Sequence, residues 1–163
     1  MRRGMLASAA LGVVIALTAA ACGGKSGPSG GSPATTAGSA ATVSAGSTKL
    51  GSVLVDGQGR TLYLFEKDKG PMSTCSGACA AAWPPETSRG TPKAGSGVTA
   101  SMLTTTARGD GSTQVVYHGH PLYRYAGDVK AGDTNGEGLN QFGAEWYAVS
   151  PAGAKVEEKH GKS

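Results

Sequence analysis

The middle of the chain alternates short runs of β-branched and aromatic residues with glycine-rich turns. Val53-Leu-Val55 and Thr61-Leu-Tyr-Leu-Phe65 flank the segment Asp56-Gly-Gln-Gly-Arg60. Glycines supply the positive φ that tight turns require, so this order predicts a β-hairpin. Side chains alternate between the two faces of a strand, and residues 61–65 offer apolar groups to both, which predicts a central strand.

A second hairpin is predicted further along the chain. Gln114-Val-Val-Tyr117 and Pro121-Leu-Tyr-Arg-Tyr125 flank His118-Gly-His120. Because Arg124 interrupts one apolar face, we expect this strand to be more exposed than its counterpart in the first hairpin.

The remaining elements are short. Strands are predicted at residues 101–106 and 145–149, with a turn at 109–111. One helical turn is predicted at 76–82, and Pro84-Pro85 would end it because proline cannot continue a helix. The predicted fold class is therefore all-β, a small domain of two related antiparallel hairpin units with one short helical turn.

A six-residue signature occurs twice in the chain. Tyr63-Leu-Phe-Glu-Lys-Asp68 and Tyr123-Arg-Tyr-Ala-Gly-Asp128 both read tyrosine, any residue, aromatic, two further residues and aspartate, and a leucine precedes each tyrosine. The common offset of 60 residues indicates an internal duplication, with repeat 1 at about 50–88 and repeat 2 at about 112–150.

The N-terminus has the layout of an exported protein. Arg2-Arg3 precedes an uncharged, mostly apolar stretch that runs to Ala21, which predicts a signal peptide at residues 1–21. The stretch is too short and too rich in alanine and glycine to favour a permanent membrane span. Leu17-Thr-Ala-Ala-Ala-Cys22 resembles a bacterial lipobox.

The lipobox predicts that Cys22 carries acyl chains, palmitate among them, and anchors the protein to the outer side of the bacterial cell membrane. An ordinary secretion signal that leaves a free thiol is the alternative. Residues 22–48 consist mainly of Gly, Ser, Ala, Thr and Pro, which predicts a disordered tether. A folded domain is predicted at 49–153 and a charged, flexible tail at 154–163.

Loss of the signal peptide leaves 13 basic and 11 acidic residues, with no basic cluster. Nucleic acid is therefore an unsuitable partner for the predicted mature chain.

The motifs together resemble those of the bacterial secreted-repeat lipoproteins, which are recognised by a tyrosine–four residues–aspartate motif. The matching segments are Gly59–Tyr63 with Asp68, Cys75–Cys79, Trp83–Pro85, Tyr117–Tyr123 with Asp128, Gly132–Gly138 and Trp146. The resemblance covers about residues 50–153. It implies an exported, commonly lipid-anchored domain with tandem repeats and no settled biochemical function.

The repeated tyrosine and aspartate are predicted to be structural, with each strand ending near its second aromatic residue and each carboxylate accepting N–H bonds in the following turn. The alternative is a binding face of stacked aromatic rings. Its candidates are Tyr63, Phe65, Tyr123 and Tyr125.

Cys75 and Cys79 are predicted to form a disulfide, since both would be exported and they are close in sequence. The alternative is a copper or other soft-metal site completed by Met72 with His118 or His120.

Asp133, Asn135 and Glu137 stand at positions one, three and five of a loop with glycine at position six, as in the first half of a calcium loop. Position twelve is Ala144, so a self-capped turn is the preferred interpretation and calcium the alternative.

The sequence contains no nucleophile elbow, phosphate loop or zinc-protease helix, so we expect no enzymatic activity and no cofactor apart from the acyl lipid. The function expected is a lipid-anchored extracytoplasmic module that binds an unknown protein or small molecule or is structural. The alternative is a copper-type metal-binding or redox protein.

Overall fold

A computed structural model describes residues 39–157 of the protein. The predicted signal peptide, Cys22, most of the predicted tether and the end of the tail lie outside the described residues. The elements, in chain order, are β1 Thr42–Thr48, β2 Gly51–Val55, β3 Tyr63–Phe65, α1 Ala78–Ala82, β4 Lys93–Ala94, a 3₁₀ turn Ala100–Met102, β5 Leu103–Ala107, β6 Thr113–Tyr117, β7 His120–Pro121, β8 Asn140–Gln141 and β9 Ala144–Ala148.

The strands form three small sheets, in the orders β2-β1-β4, β3-β9-β8 and β5-β6-β7. Within the sheets β1 and β4 pair in parallel, and the other strand pairs are antiparallel. Over residues 39–157 the predicted all-β class, the two hairpin units and the one α-helical turn are confirmed. Within residues 39–157, no helix is long and apolar enough to cross a membrane.

The turns of both hairpins follow from their sequences. In the first, the Asp56 side chain accepts the backbone N–H groups of Gln58 and Arg60, at 2.8 and 3.0 Å, and so closes the loop. In the second, His118 and Gly119 have φ values of 49° and 84°, the two positive angles that a tight hairpin loop with the right-handed strand twist needs.

The strand that contains β3 separates two hydrophobic clusters. Leu62 and Leu64 enter one cluster, whereas Tyr63 and Phe65 enter the other. All four side chains are at most 3% exposed. The prediction of a central strand with two apolar faces is therefore confirmed.

The expectation of a more exposed second strand is wrong for its tyrosine. Leu122 and Tyr123 are both fully buried, although Arg124 lies between Tyr123 and the partly buried Tyr125. Arg124 does not open the strand to solvent because its guanidinium pairs with Glu86, with 3.2 Å between Nε and Oε2.

Strand β1 falls in the stretch that the sequence assigned to the disordered tether, so that assignment is wrong for residues 42–48. β1 pairs with β2 in the register Ser44↔Val55 and buries Val43 completely. Its small residues fit the packing, because a Cβ at Gly46 would lie 2.7 Å from a Val55 methyl group. Composition alone could not distinguish this close approach from disorder.

Candidate functional site

The repeated tyrosines and aspartates bind each other across the two repeats. The Tyr63 hydroxyl donates to Asp128 Oδ2 at 2.6 Å, and the Tyr123 hydroxyl donates to Asp68 Oδ2 at 2.6 Å. Burial, and then the neighbouring aspartate, raises the pKa of both tyrosines well above the ordinary value. Both phenols therefore remain neutral donors, and we call this pair of bonds the cross-ties.

The other oxygen of each aspartate supports the loop that follows it. Asp68 Oδ1 accepts the Thr74 backbone N–H at 2.7 Å, and Asp128 Oδ1 accepts that of Asn135 at 2.9 Å. The expected capping by each carboxylate is thus present, but the bond to the opposite repeat could not be read from spacing along one chain. Each aspartate thus links the loop that follows it to the tyrosine of the opposite repeat.

The backbones of Tyr63 and Tyr123 also bond to each other across the two repeats. Tyr63 N–H donates to Tyr123 C=O at 2.8 Å, and Tyr123 N–H donates to Tyr63 C=O at 2.9 Å. Phe65 pairs with Trp146 in β9, and Arg124 N–H donates to the Pro84 carbonyl at 2.9 Å. The last segment of each repeat therefore pairs with the tyrosine strand of the other repeat, and the two repeats are intertwined.

The two tryptophans occupy equivalent places in the two repeats. Their rings stack with centroids 4.0 Å apart and planes 5° from parallel. Trp83 packs against Tyr125 and Trp146 against Phe65, at 4.4 and 4.0 Å. This equivalence is not evident from the sequence, because the tryptophans are 63 residues apart whereas the tyrosines are 60 apart.

The proposed aromatic binding face is not on the surface. Tyr63 and Tyr123 are fully buried, Phe65 is 2% exposed, and Tyr125 packs against the same cluster while partly buried. That alternative is wrong, because stacking around the tryptophan pair draws these rings into the core.

The disulfide between Cys75 and Cys79 is confirmed, with their Cα atoms 5.3 Å apart. Cys79 lies in α1, and the Cys75 carbonyl accepts a bond from Arg108 Nη2 at 2.7 Å. The copper alternative is not favoured, because the disulfide removes both thiolate ligands. Within the described part of the chain, no group of three or more His, Cys, Asp or Glu side chains could hold a metal ion. Met72, its candidate partner, is 71% exposed.

The candidate histidines lie in and beside the second hairpin turn. His118 is exposed, whereas His120 is half-buried in β7. Burial, and then the nearby His118, lowers the pKa of His120.

The acidic side chains of the calcium-like loop accept hydrogen bonds from neighbouring backbone. Asp133 Oδ2 accepts the backbone N–H groups of Val129 and Lys130, both at 3.1 Å. Glu137 Oε2 accepts the Ala148 N–H in β9 at 2.7 Å. Two of the candidate ligands thus bond to backbone outside residues 133–138, in two different segments.

A charged cavity of about 420 Å³ opens where the first hairpin turn meets the segment after Pro84-Pro85. We call it the charged pocket. Its lining comprises Ser39, Ala40, Ala41, Thr42, Asp56, Gly57, Gln58, Arg60, Glu86, Thr87 and Arg124. These charged residues could not be predicted as a site, because they are scattered along the chain and match no motif.

Two ion pairs set the charge of the pocket. Arg60 contacts Asp56 Oδ2 through both Nε and Nη2, at 2.8 and 2.7 Å. Arg124 Nε lies 3.2 Å from Glu86 Oε2. The carboxylate side chains are 4% and 11% exposed, whereas the arginines are 30% and 27% exposed, so the guanidinium groups lie nearer the solvent.

Glu86 is held by its backbone between two strands. Its N–H donates to the Leu122 carbonyl at 2.9 Å, and its carbonyl accepts the Val115 N–H at 2.7 Å. Burial raises the pKa of Glu86 to about 7, against the lowering effect of Arg124. The carboxyl group therefore changes charge near neutral pH.

The same backbone position in the other repeat carries Val149. Its N–H donates to the Leu62 carbonyl at 3.1 Å, and its carbonyl accepts the Leu54 N–H at 2.7 Å. The residue equivalent to Arg124 is Leu64, and Leu64 and Val149 belong to one hydrophobic cluster. Each pair joins one residue of each repeat, so an apolar pair stands at one contact between the repeats where the equivalent contact has an ion pair.

A family model described as a secreted repeat of unknown function matches residues 44–86 and 104–150, more than half of the chain. Each match begins near the first strand of a hairpin unit, β1 or β5, and ends with the segment that pairs across to the other repeat. No curated protein and no solved structure matches the chain. The chain belongs to this family of secreted repeats of unknown function.

Proposed function

We propose that the protein is a non-enzymatic binding module, held on the outer face of the bacterial cell membrane by an acylated Cys22. Its family is described as secreted, in keeping with an extracytoplasmic place. The lipobox-like run before Cys22 supports the lipid anchor. Anchoring fails as a proposal if Cys22→Ala still fractionates with membranes and the wild-type mass includes no acyl chains.

We propose that the charged pocket is the binding site, and the main support for this proposal is a difference between the two repeats. Glu86 and Arg124 form an ion pair where the duplicated half of the domain has Val149 and Leu64. Replacing a buried ion pair with packed apolar residues is often neutral or stabilising. The stability of the domain therefore does not explain why Glu86 and Arg124 are charged. A ligand that interacts with these charges would explain it.

Binding is a better fit to this pocket than catalysis. Its lining among residues 39–157 includes no histidine or cysteine, and Glu86, the lining carboxyl group that titrates near neutral pH, lies against Arg124 rather than beside a nucleophile. The charges that are present hold one another in ion pairs.

The duplicated half suggests the variant for the test. Glu86→Val with Arg124→Leu gives the pocket the apolar side chains of the equivalent residues, Val149 and Leu64. Wild type and double variant, both full length and in detergent, are dialysed against a small-molecule extract of the host envelope, and retained compounds are identified by mass spectrometry. We expect a compound that only the wild type retains. Equal retention by the two proteins would exclude the pocket as the site.

A further inference from the structure

We infer that the charged pocket takes a small polar anion, with a carboxylate or a phosphate-like group, on the outward guanidinium edges of Arg60 and Arg124. The inference rests on the proposed function of the pocket and names its class of ligand. Both arginines line the same cavity, although they come from different repeats.

Each guanidinium is already oriented on one side. Asp56 holds Nε and Nη2 of Arg60 by hydrogen bonds. Arg124 Nε lies 3.2 Å from Glu86 Oε2 without a hydrogen bond, and Arg124 Nη2 donates to the Pro85 carbonyl at 3.4 Å. Among the described residues, neither Nη1 atom has a hydrogen-bond partner. A planar guanidinium with a free edge suits the paired oxygens of an oxyanion.

Asp56 makes Arg60 a fixed rather than a flexible donor. Its Oδ1 accepts the N–H groups of Gln58 and Arg60, while Oδ2 accepts the guanidinium. The aspartate is thereby occupied, and it does not compete with a ligand for the free edge of Arg60.

The size and lining of the pocket restrict the ligand further. A volume of about 420 Å³ lies within the range of small-molecule sites. Ser39, Thr42, Gln58 and Thr87 add polar groups, and the described lining contains no aromatic ring on which a sugar or base could stack. These features favour a compact, polar anion over a lipid tail or an aromatic ligand.

The charge on the pocket depends on Glu86. The charged groups that face it are Arg124, Asp56 and Arg60, so the pocket is neutral when Glu86 is ionised and carries one positive charge when it is protonated. An anion is therefore bound better by the protonated state, and affinity falls as pH rises through about 7. If only that state binds, the loss between pH 6 and pH 8 is about tenfold.

The experiment is calorimetric titration of the full-length protein in detergent with sulfate and, separately, with lactate, at pH 6 and pH 8. Both probes keep a constant charge over this range, so a pH effect comes from the protein. Sulfate represents a phosphate-like group and lactate a carboxylate. The probe that binds with the lower dissociation constant therefore shows which of the two anionic groups the pocket prefers. We expect saturable binding of at least one probe, about tenfold weaker at pH 8.

Three variants make the assignment specific. Arg124→Gln and Arg60→Gln should each weaken binding at least tenfold, while Glu86→Gln should bind with little dependence on pH. Lys67→Gln is the control, since it removes one positive charge outside the pocket lining. Near-ultraviolet circular dichroism of the stacked tryptophans shows whether each variant is folded.

Absence of saturable binding, or equal binding by Lys67→Gln and both folded arginine variants, would overturn the anion inference. The proposed function would survive that outcome if the envelope extract still separated wild type from the Glu86→Val/Arg124→Leu double variant. Both would fall if the extract also failed to separate them.

Discussion

At the scale of single residues, the domain depends on polar groups buried with their partners. Tyr63 and Tyr123 place a hydroxyl in the core, and each hydroxyl meets the aspartate of the opposite repeat. The sequence showed that these residues are repeated but not which tyrosine meets which aspartate, because the choice depends on how distant segments pack.

We predict that Tyr63→Phe and Tyr123→Phe each reduce the free energy of unfolding by about 1–3 kcal/mol, because each leaves a buried carboxylate oxygen without its donor. The two losses should be similar, since both tyrosines are fully buried. Urea denaturation measures them. Tyr147→Phe is the control, because its hydroxyl bonds Glu145 at an exposed position. A Tyr123→Phe variant as stable as this control would contradict the cross-ties.

The raised pKa of Glu86 predicts how stability changes with pH. The folded protein holds this proton up to about pH 7, whereas the unfolded chain releases it near 4.5. The folded state therefore binds more protons between these values, and the stability contributed by the group is lost as pH rises through that window. The full change should be at most about 3 kcal/mol.

Urea denaturation of wild type and Glu86→Gln between pH 4.5 and pH 8 measures this contribution. We expect the wild type to lose stability relative to the variant as pH rises to about 7. Parallel curves would show that Glu86 is not desolvated in the folded protein.

At the scale of elements, the sequence predicted the turns and the helix end, because these depend on residues close together in the chain. The glycine-rich turns around residues 56–60 and 118–119 predicted both hairpins, and Pro84-Pro85 marked the end of the helical segment. Strand β1 escaped prediction because its small residues resemble a linker, and its order comes from pairing with β2. The stacking of Trp83 on Trp146 was not predicted either, because the spacing of the tryptophans differs from that of the tyrosines.

The disulfide beside α1 should contribute modestly to stability. The loop that it closes is short, so its removal should cost about 2 kcal/mol, at the low end for disulfides. We predict that reduction lowers the melting temperature but leaves the sheets folded, as measured by circular dichroism with and without dithiothreitol. Alkylation of both cysteines in unreduced protein, or complete unfolding on reduction, would contradict this account.

At the scale of the whole molecule, the two repeats form one folding unit. β3 of the first repeat pairs with β9 of the second, and Pro84 of the first accepts a bond from Arg124 of the second. The stacked tryptophans and the two cross-ties lie on the same boundary.

We predict that fragments 39–90 and 100–157 are each unfolded alone, because each lacks the segment that completes its tyrosine strand. Mixing the two fragments should restore native circular dichroism if they associate. A native spectrum from either fragment by itself would show that the repeats fold independently.

The cross-ties and stacked tryptophans occur in equivalent form in both repeats, whereas the Glu86–Arg124 ion pair, which we propose to serve binding, has an apolar equivalent at the other contact between the repeats. The most direct test of this distinction is the free energy of unfolding of the Glu86→Val/Arg124→Leu double variant at pH 7, by urea denaturation. We predict a value within about 1 kcal/mol of wild type, or higher, because apolar residues can replace a partly buried ion pair at little cost. A loss of about 3 kcal/mol or more, the size expected when a buried polar network is broken, would show that the pair is structural and contradict its assignment to binding.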